Sequence, residues 1–502
     1  MASILSLDQG TTGSTALVFH EDGSVLGRGY REFTQHYPRP GWVEHDPEEI
    51  FRVTLEAARE AITGAREKPT GVGITNQRET VVLWDRRSLA PVAPAIVWQD
   101  RRTSDRCREL REMGLAPLLR DRTGLVPDPY FSATKLEWLL RDGDLRARAE
   151  RGELAAGTIE TWLVAKLTGG RAHVTDHTNA SRTLLYSLKT RDWDPELLRV
   201  FNVPKDVLPR VVPSAGVVAE CDATHLGPAL PIAGLAGDQQ AALFGQGCVT
   251  AGKSKNTYGT GAFLLVHAGD DRPLPPEGVL ATAACGPHGE AAYALEGSIF
   301  IAGAAVQWLR DGLGLIGTAA ETEALARSVP DTGGVHFVPA FVGLGTPHWE
   351  PEARGTITGI TRGTTRAHLA RAALEAMAFA TAELLVTMTG GAQLSVPALR
   401  VDGGAAANDW LMQFQADVLG IPVERPDLVE TTALGAAGLA GIALGLWHDT
   451  DQFLGGRRFS RFEPGMSASE RQMLLAGWHR AVAATLAWAR TSAPHGSIFE
   501  NG

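Results

Sequence analysis

The chain has 502 residues, 47 Lys and Arg against 57 Asp and Glu for a formal charge of −10, with 44% hydrophobic and 21% charged residues. That length is too great for one core and points to roughly two to four domains, and the composition is that of a folded soluble enzyme, not a disordered chain. The negative balance argues against nucleic acid or an anionic membrane as the main partner; nucleotides stay open, because a phosphate site needs only a few backbone N–H groups and a local cation.

In chain order, the sequence predicts a strand over residues 3–7, a glycine turn, a second strand over 16–19 and a third near 25–33. A helix is expected over 47–63, with Asp46 as N-cap, Pro47 at the first position and Glu48 and Glu49 in the first turn. Residues 71–75 read as a buried strand, and strands then alternate with helices, which is the pattern of an α/β fold. No basic n-region precedes the first strand, so no signal peptide is expected. The four cysteines, Cys107, Cys221, Cys248 and Cys285, are widely spaced without a C-x-x-C pair and read as reduced thiols.

A boundary is expected within 245–252, giving units 1–247 and 248–502. Beyond it SKNTYGTGAFLLV echoes LSLDQGTTGSTALVF: strand, glycine turn, strand. Two glycine hairpins can coincide by chance, so at this point duplication is one of two readings. Residues 399–402 read as a strand, 408–419 as a helix and 467–490 as a last helix capped by Ser467 or Ser469. The stretch 431–448 carries no charge, yet Gly435, Gly438, Gly441 and Gly445 interrupt it at the spacing of a helix packed inside a core, so no membrane span is expected.

Five constellations carry chemistry. Between the first two strands, DQGTTGST at 8–15 combines glycines that admit a phosphate, hydroxyl donors, and Asp8 placed to hold Mg²⁺; a plain polar turn has the same composition. NTYGTG at 256–261 repeats that chemistry, and two such hairpins facing each other would clamp a polyphosphate. DGGAAAN at 402–408 lets a base or ribose lie on the backbone, or is simply a strand-to-helix turn. Asp238, at the end of an apolar glycine-bearing run, is either an N-cap or an acid able to accept a substrate proton. Arg78 and Glu79 follow a buried strand and offer fixed partners to adjacent hydroxyls, unless the pair is merely solvated. Trp98, Tyr130 and Phe263 stand beside polar residues and suit either a core or a ligand wall.

With LDQGTTGS, YPRPGWVEHDP, GITNQRET, AIVWQDRRT, GDQQAALFGQ, KNTYGTG and LRVDGGAAANDWLMQFQAD in this order, the chain resembles the glycerol kinases of the FGGY carbohydrate kinase family over essentially its whole length. The resemblance implies two actin-like (ribonuclease H-like) α/β domains with ATP in the cleft between them. It implies phosphorylation of glycerol to sn-glycerol 3-phosphate, the first step of glycerol catabolism, in the cytoplasm, by a homo-oligomer (dimer or tetramer) that uses ATP and Mg²⁺. Carried over by position, Arg78, Glu79, Tyr130, Asp238 and Gln239 correspond to glycerol-binding residues, and Trp98 and Phe263 to an aromatic wall. Thr11, Thr12, Gly13, Thr260, Gly303, Gln307, Gly404 and Asn408 correspond to nucleotide positions, Asp8 to a metal-associated aspartate, and Asp238 to the catalytic base. Thr15 stands where the family often has a nucleotide-contacting Arg, so that contact is not carried over. Residues 220–230 lack the basic glycine-rich loop of members regulated by fructose 1,6-bisphosphate, and His225 does not sit in the surroundings of the family's phosphorylated His, so neither mode of regulation is carried over.

Overall fold

The computed structural model describes residues 2–65, 67–392, 394–428, 430–455 and 457–491. Six strands build the first sheet: β1 (Ser3–Gln9), β2 (Gly13–His20), β3 (Val25–Glu32), β4 (Gly71–Asn76), β5 (Ala215–Glu220) and β6 (Pro231–Gly237), in spatial order β3-β2-β1-β4-β6-β5. Seven build the second: β7 (Ser254–Tyr258), β8 (Ala262–Gly269), β9 (Leu280–Cys285), β10 (Ala291–Ile299), β11 (Leu399–Asp402), β12 (Val423–Pro426) and β13 (Phe459–Phe462), in order β9-β10-β8-β7-β11-β12-β13.

With β9 set aside, the two sheets have one plan. The first three strands alternate in direction, the next two are parallel to the hairpin's first strand, and the far edge is antiparallel. Coincident glycine turns would not reproduce that whole succession, so the repeated hairpins belong to two repeated sheets. The hairpin strands also run closer to the turn than the sequence suggested: β1 and β2 pair through Gln9 and Ser14, leaving Gly10, Thr11 and Thr12 as the tip.

Six helices matter for the site: α1 (Pro47–Gly64), α2 (Asp238–Gly245), α3 (Arg366–Ala392), α4 (Asp409–Leu419), α5 (Thr431–Ala443) and α6 (Ala468–Thr491). Asp46 caps α1 as expected, accepting from the Glu48 N–H at 2.9 Å, and Ser467 accepts from the Glu470 N–H at 3.2 Å before α6. Asn408 is not inside α4 but is its N-cap, accepting from the Leu411 N–H at 2.9 Å.

Helix α5, the uncharged stretch, is buried along ten of its residues and lies across β1, β4 and β6 of the first sheet. Its small residues explain the placement. A Cβ on Gly435 would be driven into the Ala241 carbonyl of α2, so only glycine lets these two helices cross so closely. Among the described residues no helix is long and apolar enough to cross a membrane.

Candidate active site

β4 ends at Asn76, whose side chain donates to Glu160 and Asn179, each at 3.0 Å, and this anchors the turn that follows. Glu79 sits in that turn with φ 61°, the left-handed region that costs a non-glycine residue about 1 kcal/mol or more. Arg78 and Glu79 are 2% and 1% exposed, so the pair is not solvated. Arg78 Nη1 and Nη2 donate to the two oxygens of Glu296 on β10 at 2.6 and 2.9 Å, a fork that joins the first half of the chain to the second. Arg182 Nε donates to Glu79 Oε1 at 2.6 Å, and its Nη2 lies 3.0 Å from Glu296 Oε1. Two cations and two anions thus neutralise one another in a buried cluster. Burial alone would raise the Glu296 carboxyl, but Arg182 and Arg78 hold it down at about 2. Burial pushes the Glu79 carboxyl up, and the same two arginines oppose that shift.

Asp238 is the first residue of α2, and Gly237, not Asp238, occupies the N-cap position. Its carboxylate accepts the Gln239 N–H at 2.7 Å, stands 3.3 Å from Arg78 Nε and keeps 29% of its side chain exposed. Burial pushes its carboxyl up, while Arg78 and Lys255 draw it back. The residue is therefore a partly exposed acid beside Arg78, and the capping alternative falls. Asp8, at the end of β1, is pushed up to about 7 by burial and then by the charge of Asp238.

The aromatic residues close the same place. Trp98 meets Tyr130 edge-on at 5.7 Å between ring centroids and Phe263 at 6.4 Å. Tyr130 is 3% exposed and its hydroxyl lies 3.4 Å from Arg78 Nη2. Lys135 fixes the Tyr130–Phe131 turn from below, donating to the two carbonyls at 2.5 and 3.3 Å. Trp98 Nε1–H donates to the Thr11 hydroxyl at 2.9 Å, which links this wall to the first hairpin tip.

Both hairpin tips are closed by backbone bonds: Gly10 N–H to the Gly13 carbonyl at 2.9 Å, and Gly259 N–H to the Gly261 carbonyl at 2.8 Å. Thr12 and Thr260 are exposed there. Gly303 N–H donates to the Gly259 carbonyl at 3.0 Å, so the short helix Gly303–Gln307 starts against the second tip, with Gln307 exposed on it. Gly403, at φ 85°, packs on the Tyr258 backbone where a Cβ would clash, and leaves Gly404 exposed with open space around it. The Asn408 amide also lies 3.4 Å from the Thr322 hydroxyl. Direct contacts tie Arg78, Glu79, Tyr130, Asp238, Trp98, Phe263 and Thr11 together, while Gln307, Gly404 and Asn408 sit further along the second half.

Sequence reasoning missed Glu296, Arg182 and Lys255. Lys255 is fully buried on β7; its ammonium donates to Gln239 Oε1 and, at 2.8 Å, to the Thr257 hydroxyl. Burial pushes it down to about 8, against the pull of Asp402 and Asp238. Glu296 was detectable as the one charge in the otherwise uncharged run 291–309, since a lone buried charge requires a remote partner.

Comparison with known proteins bears on both halves. Residues 3–245 match the N-terminal domain of the FGGY family of carbohydrate kinases and residues 254–444 its C-terminal domain. Glycerol kinase 2 of Thermotoga maritima is 54% identical over 493 residues, covering 97% of this chain and 99% of that one. The glycerol kinase of Dechloromonas aromatica is 55% identical over 494 residues, covering 97% and 98%. The crystal structure of Plasmodium falciparum glycerol kinase with ADP superposes with a TM-score of 0.90 at 35% identity, covering 97% of this chain and 98% of that one. Matched in order through both halves, and joined across them by the Arg78–Glu296 fork, this chain belongs to the FGGY family of carbohydrate kinases.

Proposed function

We propose that the chain phosphorylates glycerol with ATP, giving glycerol 3-phosphate and ADP. The observation that carries this reading is a small site with a charged floor, Arg78, Glu79 and Asp238, under an aromatic wall, Trp98, Tyr130 and Phe263. Carbon-bound hydrogens suit the rings, and adjacent hydroxyls suit the carboxylates and the Nε edge of Arg78.

Phosphoryl transfer depends on alignment and charge stabilisation. Arg78, Glu79, Tyr130 and Gln239 orient the hydroxyls, with Lys255 fixing the Gln239 amide. Asp238 takes the proton of the attacking hydroxyl onto its carboxylate. Thr11, Thr12 and Gly13 on one tip, and Thr260 and Gly303 on the other, receive the phosphates; Gln307, Gly404 and Asn408 line the nucleoside end, with Asn408 doubling as a helix cap. Asp8 fits Mg²⁺: it is an acid pushed up by burial beside a second acid, and this metal needs only one or two carboxylates besides phosphate oxygens. When bound, the metal neutralises phosphate charge.

We further read units 1–247 and 248–502 as two domains of the actin-like (ribonuclease H-like) class, the repeated sheet plan supporting that reading; residues 492–502 lie outside the described residues. Four buried free thiols support a reducing, cytoplasmic setting, and a homo-oligomer remains the expected assembly. The test of function is ADP release by purified enzyme offered glycerol, xylulose, ribulose or gluconate. Glycerol should stimulate release far above the others, and preference for a five-carbon ketose would overturn the assignment.

A further inference from the structure

Away from the cleft, a cavity of about 290 Å³ lies where the chain crosses from the first sheet to the second. Its walls come from the crossover itself (Gln246 and Lys253), from Arg400 on β11, from Thr431 at the start of α5, and from Asp451 and Arg457 near β13. The volume is at the lower end for small-molecule sites, which suits a small metabolite.

Three of these six residues are cationic and one is acidic. Arg400 is committed, with Nε 3.2 Å from Glu424 and its guanidinium 4.5 Å over the Phe459 ring. Lys253 and Arg457 form no ion pair among the described residues, and Arg457 Nε is buried without a hydrogen-bond partner. A buried N–H donor on a planar fork, with an exposed lysine on the same cavity wall, has the chemistry that recognises an oxyanion. Gln246 Oε1 is also buried without a partner and can accept from a hydroxyl of the same ligand.

We propose that this cavity binds a small phosphate-bearing anion and transmits its presence to the nucleotide end of the cleft. The route is short. Gln246 Nε2 donates to Asp402 Oδ2 at 2.7 Å, and the Thr431 hydroxyl donates to the same oxygen. Asp402 ends β11 and leads directly into Gly403 and Gly404. An occupant that shifts Gln246 or Thr431 therefore shifts the turn that faces the nucleoside, and by linkage ADP alters the occupant's affinity equally. The coupling rests on the reading of Gly404 as nucleotide-facing; the binding does not.

The experiment titrates the full chain, saturated with glycerol and ADP so that the cleft is filled, with inorganic phosphate and then pyrophosphate in a calorimeter. One site per chain is expected for pyrophosphate, weakened about tenfold or more by Arg457→Gln and separately by Lys253→Gln. Both variants should keep the glycerol-dependent ADP release of the unaltered chain when no anion is added. Absence of binding to the saturated enzyme, strict competition with ADP for one site, or an affinity in either variant equal to that of the unaltered chain would overturn the site. ADP affinity should change about threefold or more with pyrophosphate in the unaltered chain and not in Arg457→Gln; binding with no such change would overturn the coupling.

Discussion

Asp238 illustrates how position decides chemistry. Had it been the N-cap of α2, Asn would replace it without loss, since the two cap about equally well. It stands instead one residue inside, with Gly237 as cap and a carboxylate partly exposed beside Arg78. Asp238→Asn keeps the acceptor for the Gln239 N–H but cannot take a proton, so kcat should fall by about 10²–10⁴ with the fold intact. Near-normal turnover in a folded variant would remove Asp238 from the catalytic role. Asp8 gives a second prediction. Its ordinary value of 3.8 is pushed up to about 7, so below about 7 the free carboxyl is protonated and holds a divalent cation poorly. Activity at low Mg²⁺ should therefore fall as pH drops through 7, and raising Mg²⁺ should move that limb to lower pH, because the cation competes with the proton. An acid limb indifferent to Mg²⁺ would separate Asp8 from the metal.

Among the elements, the crossing of α2 and α5 is the most demanding contact, since the Gly435 position meets the Ala241 carbonyl with no room for a side chain. Gly435→Val should force the helices apart and cost about 1–3 kcal/mol or more in a denaturant titration, the range for overpacked interiors. A variant as stable as the original would show that the crossing has slack. The glycines of α5 made this packing legible in advance, as Asp46 and Pro47 did the start of α1. Both are local signals, in which the residue itself states what the backbone must do. Glu296 carried a signal as a lone charge in an apolar run, but its partners did not, and Arg182 and Lys255 were not legible for the opposite reason. Lys255 stands between Ser254 and Asn256 on β7, a polar run that reads equally well as facing solvent, and the groups it meets, Gln239, Asp238 and Asp402, lie on other elements. Asn408 was misplaced by one position because a helix cap and a first helical residue differ in φ and ψ, not in residue type.

For the molecule as a whole, the Arg78–Glu296 fork is the test of how the halves depend on each other. Glu296→Gln keeps the shape but leaves Arg78 and Arg182 short of an anion, and breaking a buried pair in this way costs about 3–5 kcal/mol. The pH dependence has a definite sign. The folded carboxyl is held at about 2, below its ordinary 4.5, so its contribution is complete above about 4.5 and fades as pH falls toward 2. The variant's deficit in stability should thus be largest at neutral pH and shrink in acid; a deficit independent of pH would assign the loss to packing instead of charge.

That fork also limits how the enzyme can open. A pin through the floor of a pair of jaws lets the tips travel while the metal around the pin stays still. Arg78 and Glu296 are such a pin; on the proposed function it lies at the polyol, whereas Gly404 and Asn408 belong to the nucleoside end. On that reading, a swing of the halves about the pin would move the nucleoside end most and the three-carbon end least. Spent nucleotide can then depart by a swing that leaves the seat for the next glycerol already shaped.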